Sequence, residues 1–91
     1  MRPETDSKIE TVTRMNLARV LESDIAANDL DLDADMAGVY GLTSLNKVLF
    51  LMSACDDAGV SLTRFTEPDV AGMTTLRDVT KALTRHAGEV A

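Results

Sequence analysis

The sequence predicts an all-α fold, namely a short four-helix bundle with a long first loop, and two observations support this prediction. Apolar residues recur at steps of three and four in several segments without Gly or Pro, as they do along one face of an α-helix. The 91 residues are 45% hydrophobic but include only one Tyr, two Phe and no Trp, which favours a small aliphatic core over an all-β fold. We therefore expect residues 1–91 to form a single domain.

The first helix is predicted over residues 7–23, with Asp6 or Ser7 as its cap. Met15 falls outside the apolar face of this segment. The residues predicted to face the core are Ile9, Val12, Leu17, Val20 and Leu21.

The second helix is predicted over residues 45–58 and ends at Gly59, because a glycine commonly ends a helix. Its apolar residues at helical spacing are Leu45, Val48, Leu49, Met52 and Cys55. Cys55 is the only cysteine and can form no internal disulfide, so we interpret it as a small buried residue of the core.

Two shorter helices complete the predicted bundle. Residues 66–69 predict the start of the third helix, with Thr66 as its cap and Pro68 in its first turn. The fourth starts at Thr74 or Thr75 and ends at position 88. The residues predicted to face the core are Val70 and Met73 in the third helix and Leu76, Val79, Leu83 and Ala87 in the fourth.

The long connection between the first two helices covers residues 24–43. Between Asp29 and Met36 polar and apolar residues alternate with period two, which is typical of an extended chain. Because no second segment offers a partner strand and a lone strand is unstable, we predict an ordered loop held against the bundle by its apolar side chains. The predicted anchors are Leu30, Leu32, Met36, Val39, Tyr40 and Leu42.

The charge of the chain excludes several classes of partner. Fifteen acidic and nine basic residues give a net charge of −6, so nucleic acids and anionic membranes are repelled. Residues 22–35 contain no Lys or Arg and are either a docking surface for basic patches or a solvated loop. The N-terminus lacks a signal-peptide pattern, and the longest apolar run, residues 48–52, is too short to cross a membrane. We therefore expect a cytoplasmic protein.

The sequence lacks the residue patterns that a metal site or a catalytic site requires. The aspartates at positions 31, 33 and 35 resemble the start of a calcium-binding loop, but Met36 and Leu42 replace the required Gly and Glu. The single Cys and the single His are too far apart in sequence to suggest a zinc site. His86 near the C-terminus is explained by the helix dipole, and no nucleophile elbow or phosphate loop is present. We predict no metal site and no enzyme activity.

Ser44 lies at or next to the N-cap of the second helix. The free N–H groups and the partial positive charge of a helix N-terminus stabilise a phosphodiester attached to such a serine. Gly41 can adopt the positive φ that a tight approach to this site needs. From these residues alone two interpretations stay open, because Ser44 can be either an attachment site or a plain helix cap.

Three motifs accompany the helix order and the long first loop. They are Gly41-Leu42-Thr43-Ser44-Leu45, Val60-Ser61-Leu62 and Thr74-Thr75-Leu76-Arg77-Asp78-Val79. Together these features resemble the acyl carrier proteins of fatty acid and polyketide biosynthesis over nearly the whole chain. The resemblance implies that a phosphopantetheinyl transferase moves 4′-phosphopantetheine from coenzyme A onto Ser44. Acyl groups then travel as thioesters on the terminal thiol.

The resemblance also implies partners and a contact surface. The expected partners are the transferase and an acyltransferase, a ketosynthase or other pathway enzymes. The chain begins with Met1 and has no Pro- or Ser-rich flank, so we expect a free-standing monomer. The residues expected to contact partners or cargo are Thr43, Leu45, Val48, Leu49, Met52, Asp56 and Asp57. For the apolar residues among them the alternative is burial in the core.

Two departures from the family pattern bear on the pathway. Thr43 stands where the family usually has Asp, and the second helix begins with Asn46, Lys47 and Leu49 instead of acidic residues. We therefore expect partners to rely on apolar contact, in polyketide or related secondary-metabolite biosynthesis. The alternatives are a peptidyl carrier for an activated amino acid and an unmodified helical docking protein.

Overall fold

The computed structural model describes residues 3–21 and 25–87, and this part of the chain contains five α-helices. In chain order they are α1 (Pro3–Leu21), α2 (Met36–Tyr40), α3 (Ser44–Ala58), α4 (Glu67–Gly72) and α5 (Leu76–Ala87). Two short 3₁₀ helices, Ala27–Asp29 and Leu62–Arg64, precede α2 and α4. The described ranges contain no β-strand, so the all-α prediction is confirmed. The count of four helices is wrong, because the predicted first loop contains α2.

The first helix starts earlier than predicted. α1 begins at Pro3, so Asp6 and Ser7 lie within it and neither is its cap. A proline fits the first turn because the N–H group it lacks would have no acceptor within the helix there. α1 ends at Leu21, and the predicted ends of the first and last helices, at positions 23 and 88, lie outside the described residues.

Three other helix ends follow their sequence signals. Gly59 ends α3 in the left-handed conformation, with φ 73°. Thr66 caps α4 in a capping box with Asp69. Thr75 precedes α5 and pairs in the same way with Asp78, whose N–H donates to Thr75 Oγ1 at 3.1 Å, while Thr75 N–H donates to Asp78 Oδ2 at 3.2 Å.

The core lies between α1, α3 and α5, which pack against one another. Ile9 and Leu17 of α1 are buried as predicted, and Met15 is exposed on the other side of the helix. In α5 the predicted residues Leu76, Val79 and Leu83 are buried. The buried apolar side chains form one cluster: Ile9, Leu17, Leu30, Met36, Leu42, Phe50, Leu51, Ala54, Cys55, Val60, Met73, Leu76, Val79, Ala82 and Leu83.

Two polar residues of α1 are also buried, which the apolar pattern did not predict. Thr13 Oγ1 donates to the carbonyl oxygen of Ile9 at 2.7 Å. Asn16 Nδ2 donates to the carbonyl oxygen of Val12 at 2.8 Å and to Asp57 Oδ2 at 3.0 Å. The second of these bonds joins α1 to the C-terminal end of α3 and satisfies a donor that burial would otherwise leave unpaired.

The connection from residue 25 to residue 43 is ordered and packed, as predicted. Leu30, Met36 and Leu42 are buried, and Leu32 and Tyr40 pack against the core cluster. Val39 is 63% exposed, so its prediction as an anchor is wrong. Val39 lies in α2, whose inward side carries Met36 and, one turn later, Tyr40.

The extended part of this connection pairs with the residues that precede α5. Asp35 and Thr75 form an isolated antiparallel bridge, and Met36 N–H donates to the carbonyl oxygen of Thr74 at 2.8 Å. Arg77 binds two residues of the same segment. Its N–H donates to the carbonyl oxygen of Leu32 at 2.9 Å, and its Nε lies 2.6 Å from Asp33 Oδ1.

The three loop aspartates have structural partners. Asp31 Oδ1 accepts from the N–H of Asp33 at 2.9 Å. The hydrogen bond from Arg77 holds the pKa of Asp33 below its usual value. Asp35 caps α2 by accepting from the N–H groups of residues 37 and 38. Among the described residues no three His, Cys, Asp or Glu side chains are grouped for a metal ion.

Within the described ranges, no helix combines the length and the apolarity that a membrane span requires.

The packing predicts a large effect for one leucine of α3 and a small effect for another. Leu51 is 1% exposed and Leu45 is 70% exposed. Leu51→Ala removes buried methyl groups and leaves a cavity, so we expect the free energy of unfolding to fall by about 2–5 kcal/mol. Leu45→Ala is its matched control and should change that free energy by less than about 0.5 kcal/mol. Urea denaturation of both variants measures the difference. Equal losses would contradict the orientation of α3.

Candidate functional site

Ser44 is the first residue of α3 and is exposed, but it is not the cap of that helix. The N-cap is Thr43, whose Oγ1 accepts from the N–H of Asn46 at 3.1 Å. The carbonyl oxygen of Thr43 also accepts the first bond of the helix, from Lys47 N–H at 2.8 Å. The interpretation of Ser44 as a plain cap is therefore wrong, and helix capping does not explain its hydroxyl.

The approach of the chain to Ser44 is fixed by the end of α2. Gly41 ends α2 with φ 69°, a left-handed conformation that favours glycine. Its N–H donates to the carbonyl oxygen of Ala37 at 3.0 Å, and the N–H of Leu42 donates to the carbonyl oxygen of Met36 at 3.1 Å. The chain therefore turns at Gly41. The buried side chain of Leu42 then anchors it to the core, and the chain returns to the surface at the start of α3.

A groove of about 450 Å³ opens beside Ser44, between α3 and the segment that contains the second 3₁₀ helix and α4. On the α3 side it is lined by Ser44, Lys47, Val48 and Leu51. These positions are spaced i, i+3, i+4 and i+7, so they form one stripe of the helix. The opposite wall is formed by Leu62, Phe65, Thr66, Glu67, Val70 and Ala71.

The groove was not predicted as a unit. The i, i+3, i+4, i+7 spacing from Ser44 was a usable signal for its α3 side. The opposite wall comes from two short elements about 20 residues away, and only the packing of the chain brings them there.

The outer face of α3, defined here as Leu45, Val48, Leu49 and Met52, is exposed. The four side chains are 70%, 44%, 46% and 50% accessible. Burial in the core was the alternative for these residues, and it is wrong. The buried face of α3 consists instead of Phe50, Leu51, Ala54 and Cys55.

The C-terminal end of α3 carries the other predicted contact residues. Asp56 is exposed, whereas Asp57 accepts the hydrogen bond from Asn16 and so has a structural partner.

Cys55 belongs to the core as predicted, and burial raises the pKa of its thiol to about 11. Such a thiol stays protonated at neutral pH and is a poor nucleophile.

His86 lies in the last turn of α5, as predicted, and its ring meets that of Phe65 edge to face with centroids 4.9 Å apart. Phe65 in turn lines the groove beside Ser44. The histidine therefore supports the wall of the groove and does not line it.

Comparison of the chain with protein-family models, with characterised proteins and with solved structures found no match.

The capping geometry predicts different effects for two neighbouring hydroxyl residues. Thr43→Ala removes the acceptor of the Asn46 N–H and should lower the free energy of unfolding by about 1 kcal/mol. Ser44→Ala removes no cap and should change it by less than about 0.5 kcal/mol. Thermal and urea unfolding of the two variants give the comparison. A larger loss for Ser44→Ala would show that Ser44 caps α3 after all.

Proposed function

We propose that this chain is an acyl carrier protein of the discrete, polyketide or secondary-metabolite type, which carries acyl intermediates on 4′-phosphopantetheine attached to Ser44. The observation that supports the proposal most strongly is an exposed Ser44 that heads a long helix without capping it. An adjacent apolar groove and the exposed outer face of α3 add to it.

The residues around Ser44 fit the prosthetic group. The hydroxyl would form a phosphodiester at the N-terminus of α3, where unpaired N–H groups and the helix dipole stabilise negative charge. Val48, Leu51 and Phe65 give the groove an apolar lining that would exclude water from a bound chain. When attached, the group supplies a terminal thiol that holds acyl groups as thioesters. The protein itself supplies only attachment, shelter and docking.

The outer face of α3 is our candidate for partner contact. It lies next to Ser44, so an enzyme that binds it brings its active site within reach of the arm. Thr43 and Asp56 stand at the two ends of this face and would contribute polar contacts. The partners in the proposal are the phosphopantetheinyl transferase and the acyltransferase, ketosynthase or related enzymes of a cytoplasmic pathway.

The first test of the proposal is a mass measurement. The protein is incubated with coenzyme A and a broad-specificity phosphopantetheinyl transferase, beside Ser44→Ala and the matched control Ser53→Ala. Ser53 is exposed on the same helix. We expect one added phosphopantetheine in the parent and in Ser53→Ala, none in Ser44→Ala, and a modified Ser44 by fragment mapping. No addition with two unrelated transferases would contradict the proposal.

A negative result would favour the second candidate, an unmodified helical docking protein. Its support is the exposed outer face of α3, which needs no prosthetic group to bind a partner.

Loading of the modified protein with acyl and aminoacyl donors separates an acyl carrier from a peptidyl carrier.

The apolar character of the outer face gives a second test. Leu49→Glu places a carboxylate in the middle of the proposed contact, where it would be desolvated without a partner. We expect kcat/KM for transfer of phosphopantetheine to Ser44 to fall about tenfold or more, which corresponds to about 1.4 kcal/mol. Initial rates at several protein concentrations measure it.

The matched control for this test is Met15→Glu. Met15 is 51% exposed, on α1, and the substitution changes the net charge by the same amount. This variant should be modified at the parental rate. Equal rates in Leu49→Glu and Met15→Glu would remove the outer face of α3 from the interface with the transferase.

A further inference from the structure

Ser44 and Lys47 share the groove beside α3, one helical turn apart. Side chains at this spacing are neighbours on a helix, with Cβ atoms about 5–6 Å apart. A lysine side chain is longer than that separation, so its ammonium group can reach a substituent on the hydroxyl of Ser44. Lys47 is half-buried, which restricts the volume that its side chain explores.

Among the residues that the structure describes, no carboxylate forms an ion pair with Lys47. Arg14 and Arg77, in contrast, pair with Glu10 and Asp33. Two carboxylates face Lys47 across cavities. Glu67 lies across the groove, and Asp35 lies across a smaller cavity that Lys47 also lines. The Asp35 carboxylate already accepts from the N–H groups that begin α2.

We propose that Lys47 is a positioning residue for the phosphate of the group on Ser44, an inference that rests on the proposed function. The ammonium group would neutralise the phosphodiester and hold it on the groove side of α3. Thr43 already uses the N–H of Asn46, so the helix terminus offers the phosphate fewer donors, and Lys47 supplies a charged one. Glu67 on the opposite wall repels the phosphate, so the phosphate would stay on the α3 side of the groove and away from that wall.

This contact can be tested without a transferase. The variant Ser44→phosphoserine, made by genetic incorporation, places a phosphate on the same oxygen, and phosphorus NMR follows its second ionisation near pH 6. An adjacent ammonium group favours the dianion and so lowers the pKa of the phosphoserine. We expect Lys47→Ala to raise that pKa by about 0.2–0.7, and Lys47→Arg to restore most of the difference.

The matched control is Lys81→Ala. Lys81 is exposed on α5 and lines the cavity between α4 and α5 instead of the groove. Asp35, Glu67 and His86 are present in every variant, so their effects on the titration cancel in the comparison. Lys81→Ala should leave the pKa of the phosphoserine unchanged. An equal pKa in Lys47→Ala and Lys81→Ala would overturn the inference, and circular dichroism verifies that both variants remain folded.

The prosthetic group itself provides the second measurement. In lysine-labelled protein we expect the ammonium resonance of Lys47 to shift on phosphopantetheine transfer, and that of Lys81 to stay in place. An unmoved Lys47 in protein whose mass proves modification would overturn the inference and leave the proposed function intact. Failure of every transferase to add the group would overturn the proposed function, while the phosphoserine titration still decides whether Lys47 contacts a phosphate on Ser44.

Discussion

The orientation of α3 about its own axis is set by the burial of Phe50 and Ala54 against α1 and α5, and the candidate site depends on it. Both residues are fully buried. A rotation that buried Leu45 would expose Phe50, the largest side chain in the core, and lose the free energy of burying its apolar area. With this orientation fixed, Ser44 opens to solvent, the groove runs along one side and the outer face of α3 stays uncovered.

Polar contacts fix the two ends of the same helix. At the C-terminal end, the bond from Asn16 to Asp57 joins α3 to α1. At the N-terminal end, the left-handed Gly41 and the buried Leu42 determine where the chain enters the helix, and Thr43 caps it. The Nδ2 group of the buried Asn16 would lose one of its two acceptors if α3 slid along α1, so the contact with Asp57 limits that movement. The position of Ser44 is therefore a consequence of contacts along the whole length of α3.

Local signals predicted the elements that local interactions determine. Gly59 and the Thr66 capping box were recognisable because a left-handed turn and a capping side chain need only a few neighbouring residues. The five residues of α2 were not recognisable, because a single turn is too short to show a period and depends on its cap, Asp35, and on pairing with the residues before α5. The polar bonds of Thr13 and Asn16 lie on a face whose other members are apolar, so no pattern marked them as buried.

The candidate site likewise combines features that local sequence determines with features that tertiary packing determines. The sequence drew attention to Ser44 and to the apolar residues of α3, but α3 carries apolar side chains on two sides, and periodicity alone does not say which side faces inward. That choice is made by α1 and α5, which are distant in sequence. The far wall of the groove is likewise a tertiary feature. A hydroxyl at a helix start is a local property, whereas its access to a groove is not.

The net charge of the chain affects what can associate with the outer face of α3. Four exposed apolar side chains on one helix favour association with another apolar surface, including that of a second copy. A net charge of −6 opposes contact between two copies, and exposed Asp56 places one negative charge at the end of this very face. A partner with a neutral or basic rim meets no such repulsion. In the proposed function, the combination of an apolar face and an acidic surround would leave the helix open to partner enzymes while disfavouring self-association.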